Sequence, residues 1–176
     1  MSGHNKWSKI KHKKAASDAK KSKEFSKIVR LLTVEAKAAA GNRSAPNLKA
    51  AVEKARAMNM PGDNIERAIK KGESSDASLM TSITYEAYGP GGVAIIIEAL
   101  TENRNKAAAE IKHILSLHGL SLAGIGAATW AFQKEGAGWV PKTTIDVSEK
   151  DFESIAQILE ELEDNDEVQE VFINAA

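Results

Sequence analysis

The chain has 176 residues, of which 43% are hydrophobic, a formal net charge of zero and no cysteine. This length suits one domain or two small ones, and the lack of cysteine excludes disulfides and thiolate metal sites. No apolar segment approaches the roughly 18 residues of a membrane-spanning helix, and the N-terminus lacks the apolar run of a secretory signal. The neutral total hides a division, because residues 1–72 carry 18 Lys/Arg against 6 Asp/Glu, whereas residues 73–176 carry 6 against 18.

The N-terminal segment is strongly basic, with nine Lys and one Arg against one Asp and one Glu in the first thirty residues. These like charges repel one another, and a polyanionic partner would relieve the repulsion and release its own counterions. We expect residues 1–16 to form an extended arm that contacts nucleic acid. Its candidate contacts are Lys6, Trp7, Lys9, Lys11, His12, Lys13 and Lys14. Trp7 either stacks on an exposed base or anchors the arm, and the pattern leaves both open.

A first helix is predicted from about Ser17 to Gly41. Its apolar residues recur with helical spacing: Phe25, Ile28, Val29, Leu32, Ala36 and Ala39. At about 100° per residue, four cations fall together on the opposite side: Lys20, Lys23, Lys27 and Arg30. The spacing therefore predicts a helix with a buried side and a cationic side, the second contacting phosphates.

Two shorter helices are predicted to complete a basic helical domain over residues 1–72. Pro46 suits the first turn of one, while Asp63 is expected to cap the other, with Glu66 completing a capping box. Gly72 ends the third helix. Residues 73–80 are small and polar and are predicted to be a linker.

Residues 81–176 show mixed strand and helix patterns. After a strand-like segment at residues 83–85, the predicted elements are a strand at 93–100, a helix to about 118, strands at 127–133 and 139–147, a helix at 151–162 and a strand at 168–173. From Val93 the order is β-α-β-β-α-β, that of a ferredoxin-like domain with an antiparallel sheet. The predicted class is therefore α+β, a three-helix bundle followed by this domain.

No pattern in the chain indicates catalysis or a metal site. Gly89-Pro90-Gly91-Gly92 precedes a strand and lacks the ending of a phosphate-binding loop, so we interpret it as a turn. His113 and His118 lack metal-site spacing, and Ser121 does not sit in a nucleophile elbow. We therefore expect no enzyme, no cofactor and no small-molecule substrate. The acidic residues between Glu160 and Glu167 form either a solvated helix end or a surface that docks on the basic half.

Several motifs carry a family resemblance. They are Met1-Ser-Gly-His-Asn-Lys-Trp7, Ile10-Lys-His12, Tyr85-Glu86-Ala-Tyr88-Gly-Pro-Gly-Gly92, Asn103-Arg104-Asn105, Trp130-Ala-Phe132, Leu162-Glu-Asp164 and Val168-Gln-Glu-Val171. Together they resemble the YebC/PmpR family over most of the chain. The resemblance implies a cytoplasmic bacterial or organellar protein with a helical N-terminal domain, two α+β domains and neither cofactor nor enzymatic activity.

The chain departs from that pattern in one respect. The family's third domain is inserted between the strand near Phe132 and the helix near Asp151, where this chain has too few residues for a domain. Members are named probable transcriptional regulators that bind DNA, or translation factors that act on ribosomes. We therefore expect a DNA-binding regulator of transcription, with an RNA-binding, ribosome-associated factor as the alternative. A lysine-rich arm with one Trp suits structured RNA as well as duplex DNA.

Overall fold

The computed structural model describes residues 18–74, 80–136 and 138–176. Its chain divides into two compact units, one of residues 16–80 and one that contains residues 81–176. Each unit has its own hydrophobic core. They are described separately below.

The first unit packs three helices around one core. They are α1 (Asp18–Ala39), α2 (Pro46–Ala57) and α3 (Gly62–Glu73). The core comes from the periodic apolar positions of all three helices, including Ile28 and Leu32 of α1. Helix α3 approaches α1 closely at Gly72, where a Cβ atom would lie 2.3 Å from the Thr33 carbonyl oxygen. The hydroxyl of the buried Thr33 donates to the Val29 carbonyl, 2.8 Å away, and so needs no water at this crossing.

The expected capping box of the third helix is wrong. Helix α3 begins at Gly62 after an N-cap at Pro61, and no side chain caps it. Asp63 lies inside the first turn, where its charge still suits the positive end of the helix dipole. The Glu66 carboxylate turns instead to Arg43 in the connection between α1 and α2, 2.8 Å away. A charged partner on a neighbouring segment therefore displaces the local cap.

Residues 81–136 and 138–176 of the second unit form five strands and two α-helices. They are β1 (Thr81–Tyr88), β2 (Ala94–Thr101), α4 (Arg104–Leu117), β3 (Phe132–Glu135), β4 (Gly138–Pro141), α5 (Glu149–Asp164) and β5 (Val168–Ile173). Strands β1, β2 and β5 form an antiparallel sheet in the order β1-β2-β5, and β3 pairs with β4 in a separate hairpin. The Asn103 side chain caps α4 and the Ser148 hydroxyl caps α5.

The three-stranded sheet has a different covering on each face. Ile95 and Ile97 of β2 face the helices α4 and α5, in the core that contains Ile111 and Leu159. The alternate residue Ile96 faces the β3–β4 hairpin and the loop before it, in a smaller core that contains Ala94, Ala128, Ala131 and Phe132. Such period-two alternation is expected of a strand buried on both faces. The unit is therefore layered as helices, sheet and hairpin.

The structure agrees with the predicted α+β class, the three helices and the antiparallel pairing. The strands, however, form two separate sheets and not the single sheet that was expected. A ferredoxin-like fold would place all four strands of the pattern in one sheet. Here β1 pairs with β2 along its whole length through a turn at residues 89–93. It thereby occupies the edge of β2 that another strand would need. Of the two strands predicted at residues 127–133 and 139–147, the first is displaced to Phe132–Glu135 behind a short 3-10 turn, and the second shortens to Gly138–Pro141; the two pair with each other.

Candidate nucleic-acid interface

Helix α1 separates its buried residues from its predicted cationic contacts. Ile28, Leu32 and Ala36 are at most 3% exposed and face α2 and α3. The four cations Lys20, Lys23, Lys27 and Arg30 lie within about 80° of one another on the helical wheel, on the side opposite those residues. Lys23 is exposed, and Lys20, Lys27 and Arg30 are half-buried. The helix thus presents four cations in one row.

Two acidic residues of α3, Glu66 and Glu73, share one cation, Arg43. The Arg43 guanidinium is 2.8 Å from the Glu66 carboxylate and forms two hydrogen bonds of 3.2 and 3.1 Å with Glu73. This contact lowers the pKa of Glu66, chiefly through its hydrogen bond with Arg43, and raises the pKa of Arg43. Because both carboxylates are engaged by Arg43, they offset the cations of α1 less than their number suggests.

The other predicted contact residues lie outside the described part of the chain. These are Lys6, Trp7, Lys9, Lys11, His12, Lys13 and Lys14. Their contribution to an interface remains a prediction from the sequence. The structure brings together only the four cations of α1.

A buried carboxylate in the second unit was missed by the sequence analysis. Glu86 of β1 is 5% exposed, and its side chain accepts backbone hydrogen bonds from Gly126, Ala128 and Thr129 at 2.7–2.8 Å. Burial alone would raise the pKa of Glu86, but these three N–H donors together lower it below its ordinary value. The ionised side chain therefore fixes the loop before β3 against the sheet. Its partners lie forty or more positions away, so no local pattern indicates this contact.

Strand β1 and the loop before β3 each place one aromatic side chain at the surface. The Trp130 indole Nε1 donates to the Tyr88 hydroxyl, 2.8 Å away, and this hydroxyl donates to the Ala127 carbonyl. Trp130 is 56% exposed and Tyr88 36% exposed, while Ile125 at the tip of the loop is fully exposed. An exposed aromatic pair with fixed orientation can stack on a flat ligand. Both residues belong to motifs that carry the family resemblance, but no pattern in the sequence indicates a role for them.

Two further classes of site find no support in the described residues. Across residues 18–74, 80–136 and 138–176, no three His, Asp or Glu side chains are grouped so that they could hold a metal ion. In the same ranges no helix combines the length and the apolar character that crossing a membrane requires.

Comparison with protein families covers nearly the whole chain. A model described as the TACO1/YebC protein N-terminal domain matches residues 5–75, and a second, described as the TACO1/YebC second and third domain, matches residues 80–138 and 136–175. The chain belongs to the TACO1/YebC family. This is a family of probable transcriptional regulators rather than enzymes, and the resemblance inferred from the motifs is confirmed.

Curated relatives carry one name. A protein of Petrotoga mobilis, named "Probable transcriptional regulatory protein", is 45% identical over 174 residues, which cover 97% of this chain and 69% of that protein. One from Thermosipho africanus with the same name is 49% identical over 160 residues and is covered to 62% of its length. Among solved structures, the crystal structure of the conserved hypothetical protein Aq1575 from Aquifex aeolicus matches with a TM-score of 0.80 at 28% identity, over 95% of each chain.

The comparisons also show a difference in length from some relatives. A relative from Fervidobacterium nodosum matches 99% of this chain over an alignment of 235 residues, so about sixty of its residues lack a counterpart among the 176 here. The two stretches matched by the second model meet at residues 136–138. There β3 ends at Glu135 and β4 begins at Gly138. The junction of the two matched stretches therefore coincides with the end of β3 and the start of β4.

Proposed function

We propose that this chain is a transcriptional regulator that binds duplex DNA through its basic arm and helix α1. The observation that carries the proposal is the row of Lys20, Lys23, Lys27 and Arg30 on the side of α1 away from the core. Helix α1 packs its other side against α2 and α3, so the row lies outside the core of this unit. The names of the relatives support a role in transcription.

The chemistry of the row favours backbone contacts over base reading. Three of the four cations are lysines, which bind phosphates as point charges. Sequence is read mainly by Arg, Asn and Gln side chains that pair with base edges. The exposed side of α1 offers Arg30 as its one side chain of this kind. We therefore expect weak sequence preference and strong dependence on salt.

Charge neutralisation tests the proposal. Replacing Lys20, Lys23, Lys27 and Arg30 together by Gln removes about four phosphate contacts, so the slope of log K against log salt should become shallower by about three to four for a 20-base-pair duplex. A matched variant removes three lysines and one arginine from exposed positions on α2 and α3, by changing Lys49, Arg56, Lys70 and Lys71 to Gln. It should alter the slope by less than one. Equal losses in the two variants, or none, would reject the assignment to α1.

The alternative target is structured RNA in the ribosome. The observation that favours it is the same predominance of lysine, because double-stranded RNA is recognised mostly by shape and phosphate contacts. Co-sedimentation with ribosomes at 150 mM salt, with and without nuclease, should be run beside the duplex titration. The RNA alternative is supported if the parent binds ribosomes but not duplex DNA, and if the α1 variant no longer binds ribosomes.

A further inference from the structure

The second unit holds a surface that the proposed DNA contact does not use. Tyr88, Ile125 and Trp130 account for three of the four large apolar side chains that are exposed in the described residues. Tyr88 lies on β1 opposite Ala94 of the hairpin-side core, and Ile125 and Trp130 lie in the loop before β3. The Trp130 indole is hydrogen-bonded to the Tyr88 hydroxyl, so these two rings form one exposed patch, and a contiguous exposed patch of this kind is typical of an interaction site.

The cluster is rigid. Glu86 holds the loop through three backbone N–H groups, and the Ala123 N–H donates to the Glu86 carbonyl at 2.8 Å. The Tyr88 hydroxyl of β1 also joins the strand to the loop, because it donates to the Ala127 carbonyl and accepts from the Trp130 indole. Most of the hydrogen-bonding capacity of both aromatic residues is thus directed inward, while much of their ring surface faces water. Pre-organised rings of this kind lose little conformational entropy when a ligand stacks on them.

The local charge distinguishes this surface from the rest of the second unit. Residues 123–142, which contain the loop and the hairpin, carry Lys134 and Lys142 against Glu135. Residues 146–176 carry eleven acidic residues and one lysine, and most of these acids lie on or next to helix α5, which packs on the opposite face of the sheet, whereas Glu170 of β5 pairs with Glu98 of β2 on the hairpin face. The Lys142 N–H donates to the Ala131 carbonyl at 2.8 Å, so this lysine begins directly beside the aromatic pair. On the hairpin side Lys134 lies 3.9 Å from Glu98, so Lys142 is the lysine that this surface offers to a phosphate.

We propose that Trp130, supported by Tyr88, is a stacking platform for an unpaired nucleobase of single-stranded nucleic acid. Lys142 would contact the adjoining phosphate, and the uncharged loop around Ile125 would allow the strand to approach closely. Base stacking on an aromatic side chain is tolerant of sequence, because every base has a flat face. This contact is separate from the duplex-binding row on α1, and each can fail without the other.

The test uses the full chain and two probes at 150 mM salt, a 15-nucleotide uridine strand and a 15-base-pair DNA duplex. Trp130→Ala should weaken binding of the uridine strand by about five- to a hundredfold, the range expected for one stacked base, and change duplex binding less than twofold. Trp130→Phe keeps a ring and should bind the strand within threefold of the parent. Trp130→Leu keeps apolar bulk without a ring and should behave like the Ala variant. Leu117→Ala, which removes the other large exposed apolar side chain, is the matched control and should change neither affinity.

Several results would overturn the proposal. These are a parent that does not bind the uridine strand, a Trp130→Ala variant that binds it within twofold of the parent, and equal losses for strand and duplex. A Trp130→Leu variant that binds like the parent would also reject stacking and assign the surface to an apolar protein contact. Circular dichroism melting of each variant shows whether it is folded at the assay temperature. If the Ala variant is not, the Phe and Leu pair decides the question.

Discussion

Replacing Glu86 by Gln tests how the loop before β3 is held. One Glu86 carboxylate oxygen accepts from Gly126 at 2.7 Å, and the other accepts from Ala128 and Thr129 at 2.7 and 2.8 Å. A Gln side chain has one oxygen and one NH₂ group. Its best orientation keeps the oxygen on the pair of donors and turns the NH₂ group toward the Gly126 N–H. Two charged hydrogen bonds then become neutral, and one donor faces another donor.

The expected cost follows from these three contacts. A hydrogen bond to a charged group contributes about 1.5–3 kcal/mol against about 1 kcal/mol for a neutral one, and a donor left unsatisfied costs about 1–3 kcal/mol. We therefore expect Glu86→Gln to lower the free energy of unfolding of the second unit by about 3 kcal/mol. Urea titration followed by tryptophan fluorescence measures this in a Trp7→Phe background, where the remaining Trp130 and Trp139 both report on that unit.

The control is Glu102→Gln, at an exposed position after β2, which should change the same free energy by less than about 0.5 kcal/mol. A Glu86→Gln variant as stable as this control would refute the reasoning, since it would mean that the ionised carboxylate contributes nothing to the loop. A loss confined to Trp130 fluorescence, without a shift in the urea midpoint, would mean local loosening rather than lost stability, and would also contradict the predicted magnitude.

The stability difference between the parent protein and Glu86→Gln should depend on pH. The folded pKa of Glu86 lies below its ordinary value of 4.5, so its contribution to stability is complete above pH 4.5 and is lost as the pH falls through the folded pKa. The difference in stability between the parent and Glu86→Gln should therefore be constant from pH 7 to about pH 5 and become smaller below that. Urea titrations at pH 7, 5 and 3.5 check this, and a difference that stays constant to pH 3.5 would exclude ionisation as the cause.

Further predictions concern one substitution in the first unit, with its control, and two in the second unit. Gly72→Ala should destabilise the three-helix unit by about 1–3 kcal/mol, because its Cβ would meet the α1 backbone, while Gly62→Ala, whose Cβ would meet nothing within 4 Å, should not; circular dichroism melting compares them. Asn174→Ala should cost about 2 kcal/mol in urea titration, because this buried amide accepts from the Ala94 N–H and donates to the Thr143 carbonyl. Ser148→Ala should cost about 1 kcal/mol in the same assay by removing the cap of α5, and an unchanged urea midpoint would exclude that role.

The helices were predictable because their signals are local. The apolar spacing of α1 places Ile28 and Leu32 in the core, and the same periodicity places Lys23 on the opposite side. The candidate cationic row thus follows from the sequence alone. The capping box at Asp63 failed because Arg43, twenty residues earlier, engages Glu66. A local motif cannot show a competing partner from another segment.

The sheet and the aromatic surface depend on contacts between distant segments. The pattern of β2 shows that the strand is buried on both faces but not that β1 occupies its edge. Likewise, Glu86 and Tyr88 alternate in β1 as ordinary outward residues would, and their partners lie about forty positions later in a glycine-rich loop. Single-sequence patterns carry no signal for such pairing, so the platform around Trp130 required the folded chain.

The hairpin turn between Glu135 and Gly138 has a consequence for how this architecture evolves. These two residues are paired across the hairpin, so their Cα atoms lie only about 5 Å apart. A folded segment whose own ends are adjacent can be spliced into the gene at this point, or deleted from it, without displacing either strand. An insertion of about sixty residues, the size of the difference from the Fervidobacterium nodosum relative, would therefore leave the pairing of β3 with β4 intact if its own ends met at this turn.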